Sequence, residues 1–487
     1  MFELLEPPMT AQPAALLDEV RVAARAETKA VAQRLGAIWR LYRVRLRQHG
    51  AAETWAIDTL DEVAAEVAAA QAISLGLANS YVRFARAMHE RLPLLGMVLS
   101  AGDVDYRLFQ TVVYRTDLIT DPDTLAVVDG QLASRAGRWT SLSQGKLARE
   151  VDRIVAKADQ DAVRRRKERV EERDVSVTDS GDGIASIYGT VFATDGHLLA
   201  QRLDALAATV CADDPRTVNQ RRSDAMGALA ARADSLGCQC GNSDCPAGKK
   251  RASNVVVHVI ADQATVEGRS DAPGYLVGGD DLIPADLVAA LAASAKVRPL
   301  FNPADAPPEP GYVPSAKLAE FIRCRDLTCR APGCDVPASE CDIDHVIPYA
   351  EGGLTHASNM SCKCRKHHLA KTFWGWRDRQ LPDGTLIWTL PDGQTYVTTP
   401  GSALLFPNLC VPTGELEVPT PTTQDRCGDR AAMMPTRRRT RAQNRARRIE
   451  AERRQNREAR EARQKARDAF YTDPMPPREA DGEPPPF

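Results

Sequence analysis

Apolar residues recur at three- and four-residue intervals through most of positions 14–170, the spacing of helices that bury one face. The stretch 53–76 (ETWAIDTLDEVAAEVAAAQAISLG) shows this most clearly and is rich in Ala, the strongest helix former. In 145–172 the pattern begins amphipathic and ends almost wholly charged, which predicts that the last two turns project into solvent. The period then falls to two. Residues 174–193 alternate on either side of SGDG and predict a β-hairpin. Helices are predicted near 195–210 and 221–236, and a strand at 254–261 (NVVVHVIA). Further on, 375–399 holds two Pro-Asp-Gly turns between alternating segments, the mark of a small antiparallel meander. Its Trp388, with Trp374 and Trp376, is expected to cover the apolar face of that sheet rather than to stack on bases. No internal repeat of fixed period is present.

Proline sets the expected boundaries. Five of the thirteen residues in 302–314 are Pro, which can continue neither a helix nor a central strand. A second Pro- and Thr-rich break runs through 407–426, and six Pro in the last seventeen residues predict disorder there. The expected fold class is α+β. A helix-rich α+β domain with a small sheet occupies 1–301, 302–314 is a linker, and 315–406 is a second domain ending in the meander. Residues 407–487 are then a linker and tail, disordered or a single helix. No run approaches the roughly 18 apolar residues of a membrane span. The N-terminal MFELLEPPMT lacks the basic and apolar regions of a secretory signal. The expectation is a soluble cytoplasmic protein with no membrane partner.

Net charge is −2, yet residues 437–467 carry thirteen Arg and one Lys against four Glu, a local +10. Arg, Ala, Glu and Gln favour helix, and Glu–Arg pairs recur along this run. The same run, beginning at Arg437, Arg438, Arg439 and Arg441, has the charge of an arm for nucleic-acid phosphates.

Chemistry concentrates elsewhere. Six of the twelve Cys and four of the eight His fall within residues 324–368. Cys329-x4-Cys334 and Cys364-x2-His367 are two short-spaced ligand pairs separated by thirty residues, the arrangement of a structural zinc site. Clustered thiols in a reducing compartment are more often metal ligands than disulfides. Cys324 and Cys341 are expected to be buried small hydrophobes, and His356 to face solvent. A second group, Cys238-x-Cys240-x4-Cys245, with Cys211 as a conceivable fourth member, is read as a Gly- and Pro-bounded loop of free thiols in preference to a second metal site.

Between the two zinc-ligand pairs stand Asp344-His345, Gly352-Gly353 and Asn359, and His368 follows. The run CRAPGCDVPASECDIDHVIPYAEGGLTHASNMSCKCRKHHLAK resembles the HNH endonucleases, the ββα-metal or His-Me finger family, over about residues 316–380. The chain upstream is similar to that of actinobacterial proteins in which a long domain of unassigned function precedes such a module. The resemblance implies a zinc-stapled ββα-metal module in which His345 is general base and Asn359 fixes the loop and orients the base or adds a ligand. Asp344 and His368 would hold a catalytic divalent cation such as Mg2+, and Cys329, Cys334, Cys364 and His367 a structural Zn2+. It implies hydrolysis of phosphodiester bonds in DNA, double-stranded by preference. The alternative is a non-catalytic zinc-containing DNA-binding or regulatory protein that keeps the fold. One geometric condition attaches. Neighbours on a regular strand point to opposite faces, so Asp344 and His345 share a site only if the strand ends or twists there, which Ile347-Pro348 just downstream favours.

Overall fold

The computed structural model describes residues 11–472 apart from 140–141, 164–173, 182, 192, 246, 248–257, 278–281, 294, 305 and 415–432. The charged end of 145–172, the first half of the strand expected at 254–261 and nearly all of the Pro-rich C-terminus lie outside the described residues. The protein is α+β, mainly helical with small antiparallel sheets. It divides into two units, one of residues 1–165 with 431–487, the other of 166–430. The Pro-rich 302–314 therefore lies inside the second unit.

The first unit is helical. It comprises α1 (Ala11–His49), α2 (Thr59–Gln71), α3 (Leu75–Arg86), α4 (Pro93–Ala101), α5 (Tyr106–Arg115), α6 (Pro122–Ala136) and α7 (Gln144–Ala158). Local chemistry sets the ends. Asp58 caps α2 in a reciprocal box with Asp61, each carboxylate accepting the other's backbone N–H. A π-helical turn, Ala87–Arg91, carries α3 towards Pro93, and Asp129 of α6 caps α4 by accepting from Leu94 N and Leu95 N at 2.8 and 3.0 Å. Gly96 is required: a Cβ there would stand 2.6 Å from the Met88 carbonyl oxygen. The predicted apolar faces close on a core that includes Leu35, Leu92, Leu95, Leu99, Phe109, Val128, Leu132 and Val151, all fully buried.

The Arg-rich tail belongs to this unit. It forms one long helix, α14 (Arg441–Thr472), whose Ile449 is buried in the same core. Residues 435–437 pair with 54–56 through backbone bonds of 2.7 Å. Arg437 and Arg441 grip the α2 capping carboxylates, at 2.8 and 2.7 Å from Asp58, and each also pairs with Asp61. Arg445 meets Asp117 at 2.7 Å and Arg453 meets Asp159 at 2.6 Å. Of the four arginines expected to contact phosphates, Arg437 and Arg441 are thus paired with carboxylates inside the unit, while Arg438 and Arg439 are exposed.

In the second unit, β1 (Asp174–Asp179) and β2 (Ala185–Thr190) form the expected hairpin with six residue pairs. Helices α8 (Ala193–Ala207) and α9 (Val218–Ala230) follow. A three-stranded antiparallel sheet of β3 (Val259–Ile260), β4 (Gly274–Leu276) and β5 (Leu282–Ile283) comes next, with the short α10 (Gln263–Val266) and α11 (Ala285–Ala292). Then come α12 (Ala316–Asp326) and the antiparallel pair β6 (Asp342–His345) and β7 (Met360–Lys363). Helix α13 (Arg365–Phe373) leads into the expected meander of β8 (Arg377–Gln380), β9 (Leu386–Thr389) and β10 (Thr395–Thr398). Trp374, Trp376 and Trp388 are all buried, and Trp376 meets Trp388 of β9 edge to face.

The docking of α14 has a measurable consequence. Ile449→Ala should lower stability by about 2–5 kcal/mol, whereas Arg447→Ala on the exposed side should change it by no more than about 0.5 kcal/mol, read from urea unfolding of the whole chain.

Candidate metal centre

Cys329 and Cys334 lie in the loop after α12, Cys364 caps α13 and His367 stands one turn into that helix. Their ligand atoms all fall within 4.8 Å of one another. Cys329 Sγ and Cys364 Sγ lie 3.6 and 3.3 Å from His367 Nδ1, and Cys334 Sγ lies 3.9 Å from Cys364 Sγ. With bonds of about 2.3 Å to sulfur and 2.0 Å to nitrogen, a tetrahedral zinc ion needs edges of roughly 3.5–3.8 Å. The four residues fit that ion, and all but Cys334 are buried. Cys364 N donates to Cys329 Sγ at 3.2 Å, the kind of backbone contact that stabilises a thiolate. Cys324 and Cys341 are buried outside the set, as expected.

The neighbouring group is built on β6. Asp342 and Asp344, two residues apart on one strand, share a face and both reach His368 on α13. Asp342 Oδ2 lies 2.8 Å from His368 Nδ1, and Asp344 Oδ1 lies 3.5 Å from Nε2. The other oxygen of Asp344 receives two ammonium groups, Lys363 at 3.2 Å and Lys371 at 3.0 Å. Both lysines also pair with the buried Asp378 of β8 at 2.9 Å. These cations hold the Asp344 carboxyl well below its usual range despite burial, and the two carboxylates hold Lys363 above its own.

His345 has other hydrogen-bond and ring partners. It is the last residue of β6 and stays in register opposite Met360, as Asp344 does opposite Ser361, so the two side chains alternate. Of the three residues expected to share a pocket, Asp344 and His368 meet, and His345 bonds to Thr355 while standing near enough to Asp344 to feel its charge. Its Nε2 lies 2.9 Å from Thr355 Oγ1, and its ring stacks on Tyr312 with centroids 5.3 Å apart. The Thr355 hydroxyl donates its one proton to the Gly311 carbonyl at 2.5 Å, so it accepts from His345. Nε2 therefore carries the imidazole proton and Nδ1 keeps a lone pair. Burial, with Lys371 and Lys363 nearby, lowers the His345 pKa against the pull of Asp344.

Asn359 is a loop clamp. Its Oδ1 accepts from Ile347 N at 2.8 Å, and its Nδ2 donates to the Ile347 and Leu354 carbonyls at 3.2 and 2.9 Å. These bonds to the backbone fix the 346–359 loop. Gly353 allows that loop to close, since a Cβ there would come within 1.9 Å of the Ile347 oxygen. His356, expected in solvent, is buried: Nε2 meets the Ala306 carbonyl at 3.1 Å and Nδ1 accepts from Ser358 N at 3.2 Å. Sequence reasoning missed Asp342, Lys363, Lys371, Asp378 and Thr355. Only Asp342 had a local signal, its i, i+2 relation to Asp344 on a strand.

The sequence matches a domain of unknown function, DUF222, over residues 22–326, which ends on the last residue of α12. Among similar proteins, the uncharacterized protein Rv3776 of Mycobacterium tuberculosis (strain ATCC 25618 / H37Rv) is 44% identical over 485 residues, 93% of each chain. The uncharacterized protein Rv2100 of the same strain is 43% identical over 500 residues, 93% of this chain and 90% of its own. A shorter uncharacterized protein of the same species, from an est 3′ region, is 40% identical over 355 residues, its whole length and 66% of this chain. No solved structure matches.

Lys363 offers a test of this geometry. Lys363→Met removes a fully buried cation and leaves Asp378 and Asp344 facing each other, which should cost about 3–5 kcal/mol in urea unfolding. Adding Asp378→Asn should restore part of that loss.

Proposed function

The chain belongs to the DUF222 family, and on that premise we propose that the segment following the family domain is a zinc-stapled HNH endonuclease module that hydrolyses phosphodiester bonds in DNA. The observation that carries this reading is the line Asp342–His368–Asp344, formed by a strand pair and the helix that follows it. Asp342 binds one ring nitrogen of His368 and so aims the other at Asp344, the way an outer carboxylate orients a metal-ligating imidazole. Lys363 and Lys371 occupy one oxygen of Asp344 and leave the other on the His368 side. A divalent cation such as Mg2+ on Asp344 and His368 would supply Lewis-acid charge to the scissile phosphate and the departing 3′-oxygen.

His345 suits the general base. Its Thr355 bond fixes the tautomer that presents Nδ1, and its lowered pKa keeps the ring neutral near pH 7. Asn359 serves it indirectly, by pinning the loop in which Thr355 lies. The Cys3His zinc site holds α13, and with it His368, against the loop after α12.

One observation favours the second reading, a non-catalytic zinc-containing DNA-binding protein. His345 is 3% exposed, beneath Tyr312.

Incubation of the purified chain with plasmid DNA and Mg2+ or Mn2+, beside His345→Ala, separates the two. Cutting by the parent and at least a hundredfold less by the variant supports the nuclease, since a positioned base contributes on the order of 10²–10⁴. Equal behaviour of the two removes it. The acid limb of the rate profile is a further check. The base works when neutral and its pKa lies below the ordinary 6.5, so cleavage should persist at pH 6.5 and fall only on further acidification. A profile that declines already from pH 7.5 would exclude His345 as the titrating base.

A further inference from the structure

We propose that Cys211, Cys238, Cys240 and Cys245 bind a second zinc ion in a closed tetrathiolate site. The four sulfur atoms come from two separate segments. Cys211 lies in the connection from α8 to α9, and the other three follow α9. All four lie within 4.8 Å of one another, and Cys211 Sγ stands 3.4 Å from Cys238 Sγ. That is far beyond the roughly 2.05 Å of a covalent bridge. It is close to the edge of about 3.8 Å in a zinc–thiolate tetrahedron. The sequence favoured a Gly- and Pro-bounded loop of free thiols; the proposal departs from it because spacing along the chain says nothing of Cys211, which joins the set from 27 positions upstream.

The scaffold that converges these sulfurs is built from other groups. Arg216 binds both oxygens of Asp214, meets Asp224 at 2.6 Å and donates to the Gly237 carbonyl at 2.7 Å. Asp214 accepts from Gln239 N at 2.9 Å, and Thr209 Oγ1 accepts from Leu236 N at 2.8 Å. These bonds lay the segment carrying Cys211 against the one carrying Cys238 and Cys240. Cys238 N donates to the Ala247 carbonyl, closing the loop that brings in Cys245, with Gly241 at φ +76° making the turn.

Thiolate softness selects zinc over hard cations such as Mg2+. Four protein ligands leave no open position, so the ion is structural. The need for it is visible in the packing. Among the described residues around this knuckle the buried apolar side chains are few and mostly small: Leu206, Ala207, Ala225, Ala233 and Leu236. A bound metal supplies the folding energy that so small a core lacks.

The proposal does not depend on the nuclease reading, and its test does not use cleavage. The full-length protein, purified under reducing conditions without chelator, should contain two zinc ions per chain by elemental analysis. Cys334→Ser and Cys240→Ser should each lower that to one, and together to none. Reconstitution of the wild type with Co2+ gives a reading that needs no variant. The sulfur-to-cobalt charge-transfer band should have the intensity of seven bound thiolates, against three if only the Cys3His site fills. One zinc per chain in both the wild type and Cys240→Ser would overturn the proposal. So would iron in place of the second zinc, or loss of four titratable thiols to disulfides in the denatured, chelated protein.

Discussion

The region after the family domain depends on one buried ammonium group. Lys363 is fully buried at the end of β7, and its three protons have three takers: Ser361 at 2.8 Å, Asp378 at 2.9 Å and Asp344 at 3.2 Å. Burying a charge is unfavourable unless it is paired and fully hydrogen-bonded. That requirement fixes three strands at once, because Asp344 is on β6 and Asp378 on β8. It also decides the chemistry of Asp344. With Lys363 and Lys371 on one oxygen, the carboxylate stays ionised and its second oxygen lies towards His368.

A second buried charge repeats the device at the start of the region. Asp326, the last residue of α12, has no exposure and accepts from Arg325 at 2.8 Å, Arg330 at 3.1 Å and Cys362 N at 2.7 Å. Arg325 donates onward to the Ala357 and Met360 carbonyls, and Arg330 to those of Gly384 and Thr398. Helix, strand pair and meander are thus joined through guanidinium groups. Arginine suits this because its planar fork meets several acceptors with one ordered side chain. Such a frame resists sliding, since any shift leaves a buried charge unpaired. A zinc ion held by Cys329, Cys334, Cys364 and His367 would add the same kind of constraint at the neighbouring loop.

What the sequence disclosed, and what it concealed, follows from this. The Cys3His set was legible because each ligand pair spans one local turn, and the meander because Pro-Asp-Gly marks its turns. The burial of Trp376 and Trp388 followed from alternation. The buried ion pairs were not legible, because Lys363 and Asp378 are fifteen residues apart and each alone looks like a surface charge. The face of His345 turned on whether a four-residue strand keeps its register to the last position, which it does. Cys211 was seen only as a conceivable member of its group, since nothing along the chain ties it to Cys238.

The Arg-rich tail makes the same point about charge. A run of +10 favours solvated extension or phosphate contact when read alone, yet a helix sorts its residues by face. Arg441, Arg445 and Arg453 meet carboxylates of the first unit, Ile449 enters its core and Asn456 donates to the Asp161 and Val163 carbonyls, both at 2.9 Å. Arg447, Arg454 and Arg457 are exposed. One helix thus serves as an integral part of a fold on one face and keeps unneutralised cations on the other. Any attraction of this segment for nucleic acid must come from that outer row. Removing the whole tail would uncover the core about Ile449 and leave Asp58, Asp61, Asp117 and Asp159 without their arginines. Loss of binding on truncation would therefore not distinguish a missing phosphate contact from a damaged fold. Reversal of charge confined to the outer row would do so.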